Sequence, residues 1–365
     1  MSAHAAQPIT AQTGPDGHIS VMLVDDSIVV RSIVERIIES DAGLHIVASV
    51  ATAPEALAIL ERERVDVILL DLEMPAMHGL EALPLLLAKQ SDTRIIILSA
   101  NCEDGGTAAV EALSLGAADT LLKPGRGTFA GRFGVTLIER IRALSERGPV
   151  GAISEEKAPL RHCSVPDSVP SRSIGAVGIG ASTGGIMAIN QFLASLPRWF
   201  EAPLFITQHL PAGFISYFAE QLQRANERAI RVAADGMAVE AGHVYVAPGD
   251  GHLRVVGTTT GTRIIIDRAA MPSGATPSVD PMLASLADAY GPQLCGVMLS
   301  GMGRDGLEGA RRLCAHGGIM LAQTMSSSVV WGMPGAVVRE GLAQGQGDPA
   351  ELARLIGRIV RGLHR

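Results

Sequence analysis

Five polar residues stand at the ends of short apolar runs in the first part of the chain: the acidic pair Asp25 and Asp26, then Asp71, Ser99 and Lys123. Strands of a parallel sheet end at one edge, so we expect these side chains to converge there. Clustered carboxylates repel one another unless a cation joins them, and hard oxygen ligands suit Mg²⁺. An aspartate in such a pocket can accept a phosphoryl group, and a lysine and a serine hydroxyl can contact its oxygens. The pattern therefore predicts an acidic pocket that binds a metal ion and in which an aspartate is phosphorylated.

Each of these residues alone also has a simpler interpretation. An aspartate at the end of a strand often caps the following helix, and Asp26 stands where it would do so. The joint pattern is more specific than any of its members. Lysine usage supports it, because only three of the 30 basic residues are lysines and one of them, Lys123, stands where a compact charge is needed.

A glycine-rich turn in the second half presents a serine in a different setting. Ser182 follows the apolar run Ile174–Ile179 and has glycines close on both sides. Small neighbours let the backbone turn sharply and raise the hydroxyl beside the N–H groups of a helix N-terminus. His209 and Asp305 follow two later runs, although singly they are also typical of a capping imidazole and a turn residue. Together the three predict a serine, a base and an orienting carboxylate at one sheet edge.

Two other interpretations of this turn stay open. A dinucleotide-binding site would place an acidic residue at the end of the next strand, where the chain has Gln208 and His209. An α/β-hydrolase elbow matches the G-x-S-x-G spacing around Ser182, and Asp305 with His316 would supply the order serine, acid, histidine. That fold places several strands before the elbow, whereas Ser182 follows the first strand of its half.

Two successive patterns of apolar runs and amphipathic stretches must position these residues. Residues 18–145 hold five strand-then-helix units, which predict a five-stranded parallel sheet covered by helices on both faces. Residues 146–172 are rich in Ser and Pro and predict a linker, and residues 1–17 predict a disordered leader. Residues 173–365 alternate again and predict a doubly wound α/β domain with a hairpin near Gly257–Gly261.

Charge and composition exclude several classes of protein. The 365 residues carry a net charge of −7, of which residues 1–150 contribute about −8 and residues 173–365 about +1, and only 3% of residues are aromatic. A nucleic-acid surface needs basic patches and aromatic stacking, so none is expected. No apolar stretch reaches the ~20 residues of a membrane span and the N-terminus lacks a signal-peptide pattern, so we expect a cytoplasmic protein without membrane insertion. The four widely spaced cysteines indicate neither a zinc site nor a disulfide framework.

The first half carries four motifs in a recognisable order: Leu23–Ser27, Leu70–Leu80, Ser99–Ala100 and Leu122–Pro124. They resemble a response-regulator receiver domain that covers roughly residues 20–144, and the resemblance implies a flavodoxin-like fold for this part of the chain. His78 stands where that family often has Asp, outside the pocket. The resemblance implies a role for each pocket residue: Asp71 as phosphoacceptor, Asp25 and Asp26 as Mg²⁺ ligands together with Asp71 and the backbone carbonyl of Glu73, Ser99 as the switch hydroxyl and Lys123 as the phosphate contact.

The second half carries five further motifs: Gly178–Gly185, Gln208–Pro211, Tyr245–Leu253, Pro277–Met282 and Ser300–Gly306. They resemble the catalytic domain of the CheB family of chemotaxis protein-glutamate methylesterases. Receiver, linker and this domain, in this order, match the architecture of the family. The resemblance implies Ser182 as nucleophile, His209 as general base and acid, Asp305 as orienting carboxylate and the Met302 backbone N–H as an oxyanion donor.

The two resemblances together imply a phosphorylation-activated serine esterase. It would hydrolyse glutamyl methyl esters on chemoreceptors, release methanol and deamidate receptor glutamines, as part of chemotaxis adaptation or a related two-component pathway. The implied partners are methyl-accepting chemoreceptors as substrate and a chemotaxis histidine kinase as phosphodonor. Mg²⁺ is implied for the receiver and no cofactor for the ester reaction. A response regulator whose second half only binds a partner, and a transcription factor with a basic recognition helix, are the alternatives from other classes.

Overall fold

A computed structural model describes residues 18–99, 102–123, 130–145, 173–259 and 261–362 of the chain. The predicted leader and the predicted linker lie outside the described residues. Two parallel sheets, of five and seven strands, organise the described part. Within that part, no helix combines the length and the apolar character needed to cross a lipid bilayer.

The first sheet has five strands in the order β2-β1-β3-β4-β5, so the first strand of the chain lies inside it. Every residue of β3 is buried, as the unbroken apolar run of this strand predicts. Its strands are β1 Ile19–Val24, β2 Leu44–Val50, β3 Val67–Asp71, β4 Arg94–Ser99 and β5 Asp119–Leu122. The helices between and after them are α1 Ile28–Glu39, α2 Ala53–Ile59, α3 Gly79–Lys89, α4 Cys102–Ser114 and α5 Ala130–Ser145.

Local sequence explains where the helices of this domain begin. The Ser27 side chain accepts a hydrogen bond from the Val30 N–H and starts α1. Thr52 and Glu55 form a capping box at the start of α2, which satisfies N–H groups that a helix end leaves unpaired. His78, at the position where receivers often have Asp, caps α3 by accepting from the Leu80 N–H at 3.3 Å. The imidazole nitrogen thus performs there the same capping that an aspartate oxygen would.

The second sheet has seven strands in the order β14-β13-β12-β6-β7-β9-β8, and all of its neighbours pair in parallel. A separate antiparallel hairpin, β10–β11, confirms the predicted break in the alternation. The strands are β6 Ala176–Ala181, β7 Leu204–Gln208, β8 Ile230–Val232, β9 Val244–Val246, β10 His252–Thr258, β11 Gly261–Asp267, β12 Leu294–Met298, β13 Ile319–Gln323 and β14 Gly345–Gly347. The helices are α6 Gly185–Ser195, α7 Ala212–Ala225, α8 Val279–Tyr290, α9 Leu307–Ala315, α10 Met333–Arg339 and α11 Pro349–Arg361.

Strand β6 is first in its half of the chain yet central in the sheet, with β7 on one side and β12 on the other. The strand order reverses at such a point, and parallel sheets bind ligands in the crevice that this reversal opens. The turns after β6, β7 and β12 therefore meet at one edge. This is the edge at which the sequence predicts Ser182, His209 and Asp305.

A core of large side chains keeps this sheet in place. Phe205 of β7 and Tyr245 of β9 are fully buried and stack with ring centroids 5.5 Å apart. Helix α8 packs against the β10–β11 hairpin, and the buried Ser285 hydroxyl accepts a hydrogen bond from the Val255 N–H at 3.0 Å. The hairpin is therefore tied to α8, whose first residue, Val279, contacts Asp305 at this edge of the sheet.

Candidate functional site

Two neighbouring strands bring the predicted nucleophile and base to the same edge. Ala181 of β6 and Gln208 of β7 are paired in register, and Ser182 and His209 are the next residues along each strand. The His209 N–H donates to the Ala181 carbonyl at 3.0 Å, which extends the ladder past the ends of the strands. Ser182 is 5% exposed, so this residue is buried at the edge of the sheet.

The predicted carboxylate reaches the predicted base directly. His209 Nε2 lies 2.8 Å from Asp305 Oδ2, and the Asp305 side chain is buried. A carboxylate only accepts hydrogen bonds, so Nε2 carries the proton and Nδ1 is the nitrogen able to accept one. Among the described residues no hydrogen bond joins Ser182 Oγ to His209. In serine enzymes without substrate this contact is often long and tightens when substrate binds.

Two further groups fix Asp305. The Ser278 hydroxyl donates to Asp305 Oδ1 at 2.6 Å, and the Val279 N–H donates to Oδ2 at 2.7 Å. Burial alone would raise the pKa of Asp305, but the hydrogen bond and charge of His209, with the bonds from Ser278 and Val279, lower this pKa to about 2. Asp305 is therefore ionised at neutral pH and is held in one orientation.

A second carboxyl group lies beside this cluster. Asp280 accepts a hydrogen bond from the Gly309 N–H at 2.8 Å. Burial and the nearby Asp305 charge raise the pKa of Asp280 to about 6. The pKa values of the two carboxyl groups are thus far apart, so between about pH 4 and about pH 6 Asp305 is ionised while Asp280 is mostly protonated.

The turn after β12 supports the nucleophile from the other side. The Ser182 N–H donates to the Ser300 carbonyl at 3.0 Å, and the Ser300 hydroxyl donates to the Thr183 carbonyl at 2.8 Å. Gln323 Oε1 accepts from the Ser300 N–H at 2.7 Å. In the part of the chain that the structure describes, no hydrogen bond has the Met302 N–H as donor. This N–H is thus available to an oxygen atom of a bound substrate.

Two glycines allow the chain to turn at this edge. Gly184, just after Ser182 and Thr183, has a φ of 75°, and a Cβ placed there would lie 2.5 Å from Val329 Cβ. Gly306, just after Asp305, has a φ of 90°, and a Cβ there would lie 2.5 Å from Met298 Cε. Both positions require a left-handed backbone and leave no room for a side chain.

The acidic residues of the first domain also converge. Asp25, Asp26 and Asp71 each offer a carboxylate oxygen, and these oxygens lie within 4.8 Å of one another. Lys123 Nζ lies 2.9 Å from Asp25 Oδ2 and 2.7 Å from Asp71 Oδ2. Three hard oxygen donors at this spacing fit a small divalent cation such as Mg²⁺.

Burial and charge act against each other in this pocket. Burial raises the pKa of Asp71, although the Lys123 ammonium opposes it. Burial would lower the pKa of Lys123, but hydrogen bonds to Asp71 and Asp25 outweigh burial and raise it. The Glu73 N–H donates to Asp71 Oδ1 at 3.2 Å, and Ser99 is buried at the end of β4, next to the strand that ends in Asp71. The pocket therefore holds excess negative charge that a cation would neutralise.

Some functional groups of the second domain were not predicted from the sequence. Ser278, Val279 and Asp280 lie in the segment Pro277–Met282, which the sequence marks as a family motif without a role for any residue. Their hydrogen-bond partners, Asp305 and Gly309, are 26 to 29 residues away in the chain. The local sequence pattern therefore gives no indication of these hydrogen bonds.

Comparison with known proteins assigns both domains. The family model of the response regulator receiver domain matches residues 21–128, and that of the CheB methylesterase matches residues 177–356. The protein-glutamate methylesterase/protein-glutamine glutaminase 2 of Caulobacter vibrioides is 42% identical over 89% of this chain and 94% of its own. The protein-glutamate methylesterase/protein-glutamine glutaminase 1 of Paramagnetospirillum magneticum is 38% identical over 94% of this chain and 96% of its own length.

Among solved structures, the catalytic domain of the Thermotoga maritima CheB methylesterase is 33% identical, covers 52% of this chain and 99% of its own, and has a TM-score of 0.49. The matches to the Caulobacter and Paramagnetospirillum proteins cover 89% and 94% of this chain, so they extend into both domains. The chain therefore belongs to the CheB family of protein-glutamate methylesterases/protein-glutamine glutaminases, with a response regulator receiver domain ahead of a methylesterase domain.

Proposed function

We propose that this protein is a cytoplasmic, phosphorylation-activated serine esterase that removes methyl groups from glutamyl methyl esters of chemoreceptors and deamidates receptor glutamines. The observation that carries the proposal is the contact of His209 Nε2 with the buried carboxylate of Asp305 at the sheet edge where Ser182 follows β6. The names of the relatives support both reactions, because these relatives are called methylesterase and glutaminase.

In the first half of the reaction, Ser182 Oγ attacks the ester carbonyl carbon while His209 Nδ1 takes the hydroxyl proton. The carbonyl oxygen becomes an oxyanion, and the Met302 N–H donates to it. The bond from carbon to the methoxy oxygen then breaks, and His209 returns its proton to that oxygen. Methanol leaves, and an acyl ester on Ser182 remains.

In the second half, His209 takes a proton from water, and the water oxygen attacks the acyl carbon. The bond from carbon to Ser182 Oγ breaks, Ser182 regains its proton from His209, and a glutamate side chain is released. A glutamine amide follows the same path with ammonia as leaving group. One site can serve both reactions because both pass through the same acyl-serine.

The receiver domain supplies control in this proposal. Asp71 accepts the phosphoryl group from a histidine kinase, and Asp25, Asp26, Asp71 and the Glu73 carbonyl would hold Mg²⁺. When bound, this ion neutralises the charge that gathers on the phosphoryl oxygens. Lys123 and Ser99 contact the same oxygens afterwards. The support for these roles is the short spacing of the three carboxylates and the pairing of Lys123 with two of them.

Methanol release from methylated receptor membranes tests the proposal, with the full chain present with and without a small-molecule phosphodonor and Mg²⁺. We expect release that rises with the phosphodonor, and no such rise for Asp71→Asn. A protein whose second half only binds a partner would release no methanol and would not react with a serine-directed phosphonate. That result would replace the esterase with a binding function.

A further inference from the structure

A buried histidine outside the proposed triad links the hairpin to the catalytic edge. His252, the first residue of β10, is 1% exposed. Its Nδ1 atom lies 2.9 Å from the Ser278 backbone nitrogen, and its Nε2 atom lies 2.8 Å from the Ala269 carbonyl oxygen. The imidazole therefore spans the gap between the end of the hairpin and the residue that precedes α8.

These two contacts fix the form of the ring. A backbone N–H can only donate, so Nδ1 accepts from Ser278, and a carbonyl can only accept, so Nε2 carries the proton that is donated to Ala269. Only the neutral imidazole with its proton on Nε2 satisfies both groups. A charged ring would place a donor against the Ser278 N–H. An apolar residue would leave the N–H of the fully buried Ser278 unpaired, which costs free energy, and would remove the donor to the Ala269 carbonyl.

The contact at Ser278 continues to the triad through the same residue. The Ser278 side chain is fully buried, and its hydroxyl donates to Asp305 Oδ1 at 2.6 Å. The next residue, Val279, donates its N–H to Asp305 Oδ2 at 2.7 Å. Asp305 in turn contacts His209 at 2.8 Å. The orientation of Asp305 therefore depends on where the backbone at Ser278 is held, and His252 holds it.

We propose that His252 and Ser278 are positioning residues for the esterase reaction. They fix the carboxylate of Asp305 and, through it, the imidazole of His209. The inference rests on the proposed function and extends it. It gives a role to a residue in each of two motifs, Tyr245–Leu253 and Pro277–Met282, that contain no member of the triad. Both residues act at a distance from substrate and touch none of the reacting atoms.

Three variants separate this role from simple support of the fold. His252→Leu removes both imidazole contacts, whereas His252→Asn places an amide oxygen near the Nδ1 position, where it can accept from the Ser278 N–H. Ser278→Ala keeps the backbone contact to His252 and removes only the hydroxyl that reaches Asp305. Ser285→Ala is the matched control, because this buried hydroxyl also joins β10 to α8 but has no contact with Asp305.

We expect kcat for methanol release to fall about tenfold or more for His252→Leu and Ser278→Ala, because small displacements of reacting groups have large effects on rate. KM should change by less than about twofold, since neither residue binds substrate in this scheme. His252→Asn should recover part of the loss, and Ser285→Ala should keep the kcat of the unaltered protein. The rate at which a fluorophosphonate labels Ser182 should follow the same order.

The double variant His252→Leu/Ser278→Ala gives the sharpest result. If both residues act on Asp305 in series, the double variant is about as slow as the slower single variant. The inference would be overturned if the losses in kcat of the two single variants multiplied in the double variant, or if Ser285→Ala lost as much kcat as they do. Unchanged kcat in both single variants, with intact folding, would also overturn it.

This experiment also separates the inference from the proposed function. If the unaltered protein is labelled by the phosphonate but releases no methanol, the proposed substrate is wrong and the labelling rates still decide the role of His252 and Ser278. If the unaltered protein is not labelled at all, the proposed serine esterase and the roles of His252 and Ser278 are both wrong.

Discussion

His209 Nε2 and Asp305 Oδ2 lie 2.8 Å apart although 96 residues separate them in the chain. The turns after β7 and β12 create this contact, since these two strands flank β6 on either side in one parallel sheet. The contact leaves Nδ1 of His209 as the ring nitrogen that can accept a proton, which is its proposed role toward Ser182. The geometry of the proposed active site follows from this pair.

Replacing Asp305 with Asn should lower kcat by about 10³-fold to 10⁴-fold, because an amide can present a donor to His209 Nε2 and favour the wrong tautomer. Asp288→Asn is the control, since Asp288 is an exposed carboxylate on α8 that pairs with Arg312. Methanol release and the rate of phosphonate labelling measure both variants. A fall of less than about tenfold for Asp305→Asn would contradict the role of this carboxylate.

Asp280 should make the stability of the protein fall as pH rises. Its pKa is about 6 in the folded protein, above the ordinary value of 3.8, so the folded state keeps a proton that the unfolded chain has released. The free energy of unfolding therefore declines between about pH 4 and about pH 6. The full shift corresponds to about 3 kcal/mol, which solvent screening of this partly exposed carboxyl reduces to about 2 kcal/mol. Asp280→Asn removes the titration and keeps an acceptor for the Gly309 N–H.

We expect Asp280→Asn to gain stability relative to the unaltered protein as pH rises through this range and to keep a constant difference above it. Urea unfolding of the two proteins across the range measures the difference. Asp305 acts in the opposite direction, because its pKa of about 2 gives stability that is present above about pH 4 and lost as pH falls toward 2. A constant difference between the two proteins at every pH would contradict the raised pKa of Asp280.

Gly184→Ala should destabilise the second domain by more than about 2 kcal/mol, since the added methyl group would meet Val329 and the backbone is left-handed. Gly257→Ala is the matched control, because a Cβ at Gly257 meets nothing within 4 Å. Urea unfolding of both variants gives the comparison. Equal stabilities for the two variants would argue against the tight turn behind Ser182.

Asp71→Asn should abolish phosphoryl transfer from a small-molecule phosphodonor, and chelation of divalent cations should do the same for the unaltered protein. The reason is that Asp71 is both the proposed acceptor and one of three carboxylates that fit the cation. Glu61→Gln is the control, because Glu61 is an exposed carboxylate of the same domain that pairs with Lys89. Incorporated phosphate is the measurement, and retention of phosphate by Asp71→Asn would place the acceptor elsewhere.

Much of this arrangement could be predicted from the sequence because parallel strands end at one edge. The apolar runs before Asp25, Asp71 and Ser182 locate their strands, and the residue after each strand is then confined to that edge. The hairpin was predicted as well, because Gly257 marks a break in the alternation. These are properties of neighbouring residues, which a single sequence records.

Two strands and the supports of Asp305 could not be predicted. β8 and β14 have three residues each, and β14 is Gly345-Gln346-Gly347, so it has no apolar pattern and pairs through its backbone alone. Ser278 and His252 meet across 26 residues, and their roles depend on burial and on hydrogen-bond geometry. Neither quantity is encoded in local spacing, so only the structure assigns them.

Methanol release from methylated receptor membranes by Ser182→Ala tests the central claim most directly. Ser273→Ala, a substitution of an exposed serine in the same domain, is the control. We expect Ser182→Ala to release no methanol above the uncatalysed background and to resist phosphonate labelling, while the control matches the unaltered protein. Methanol release by Ser182→Ala at the rate of the unaltered protein would contradict the serine mechanism.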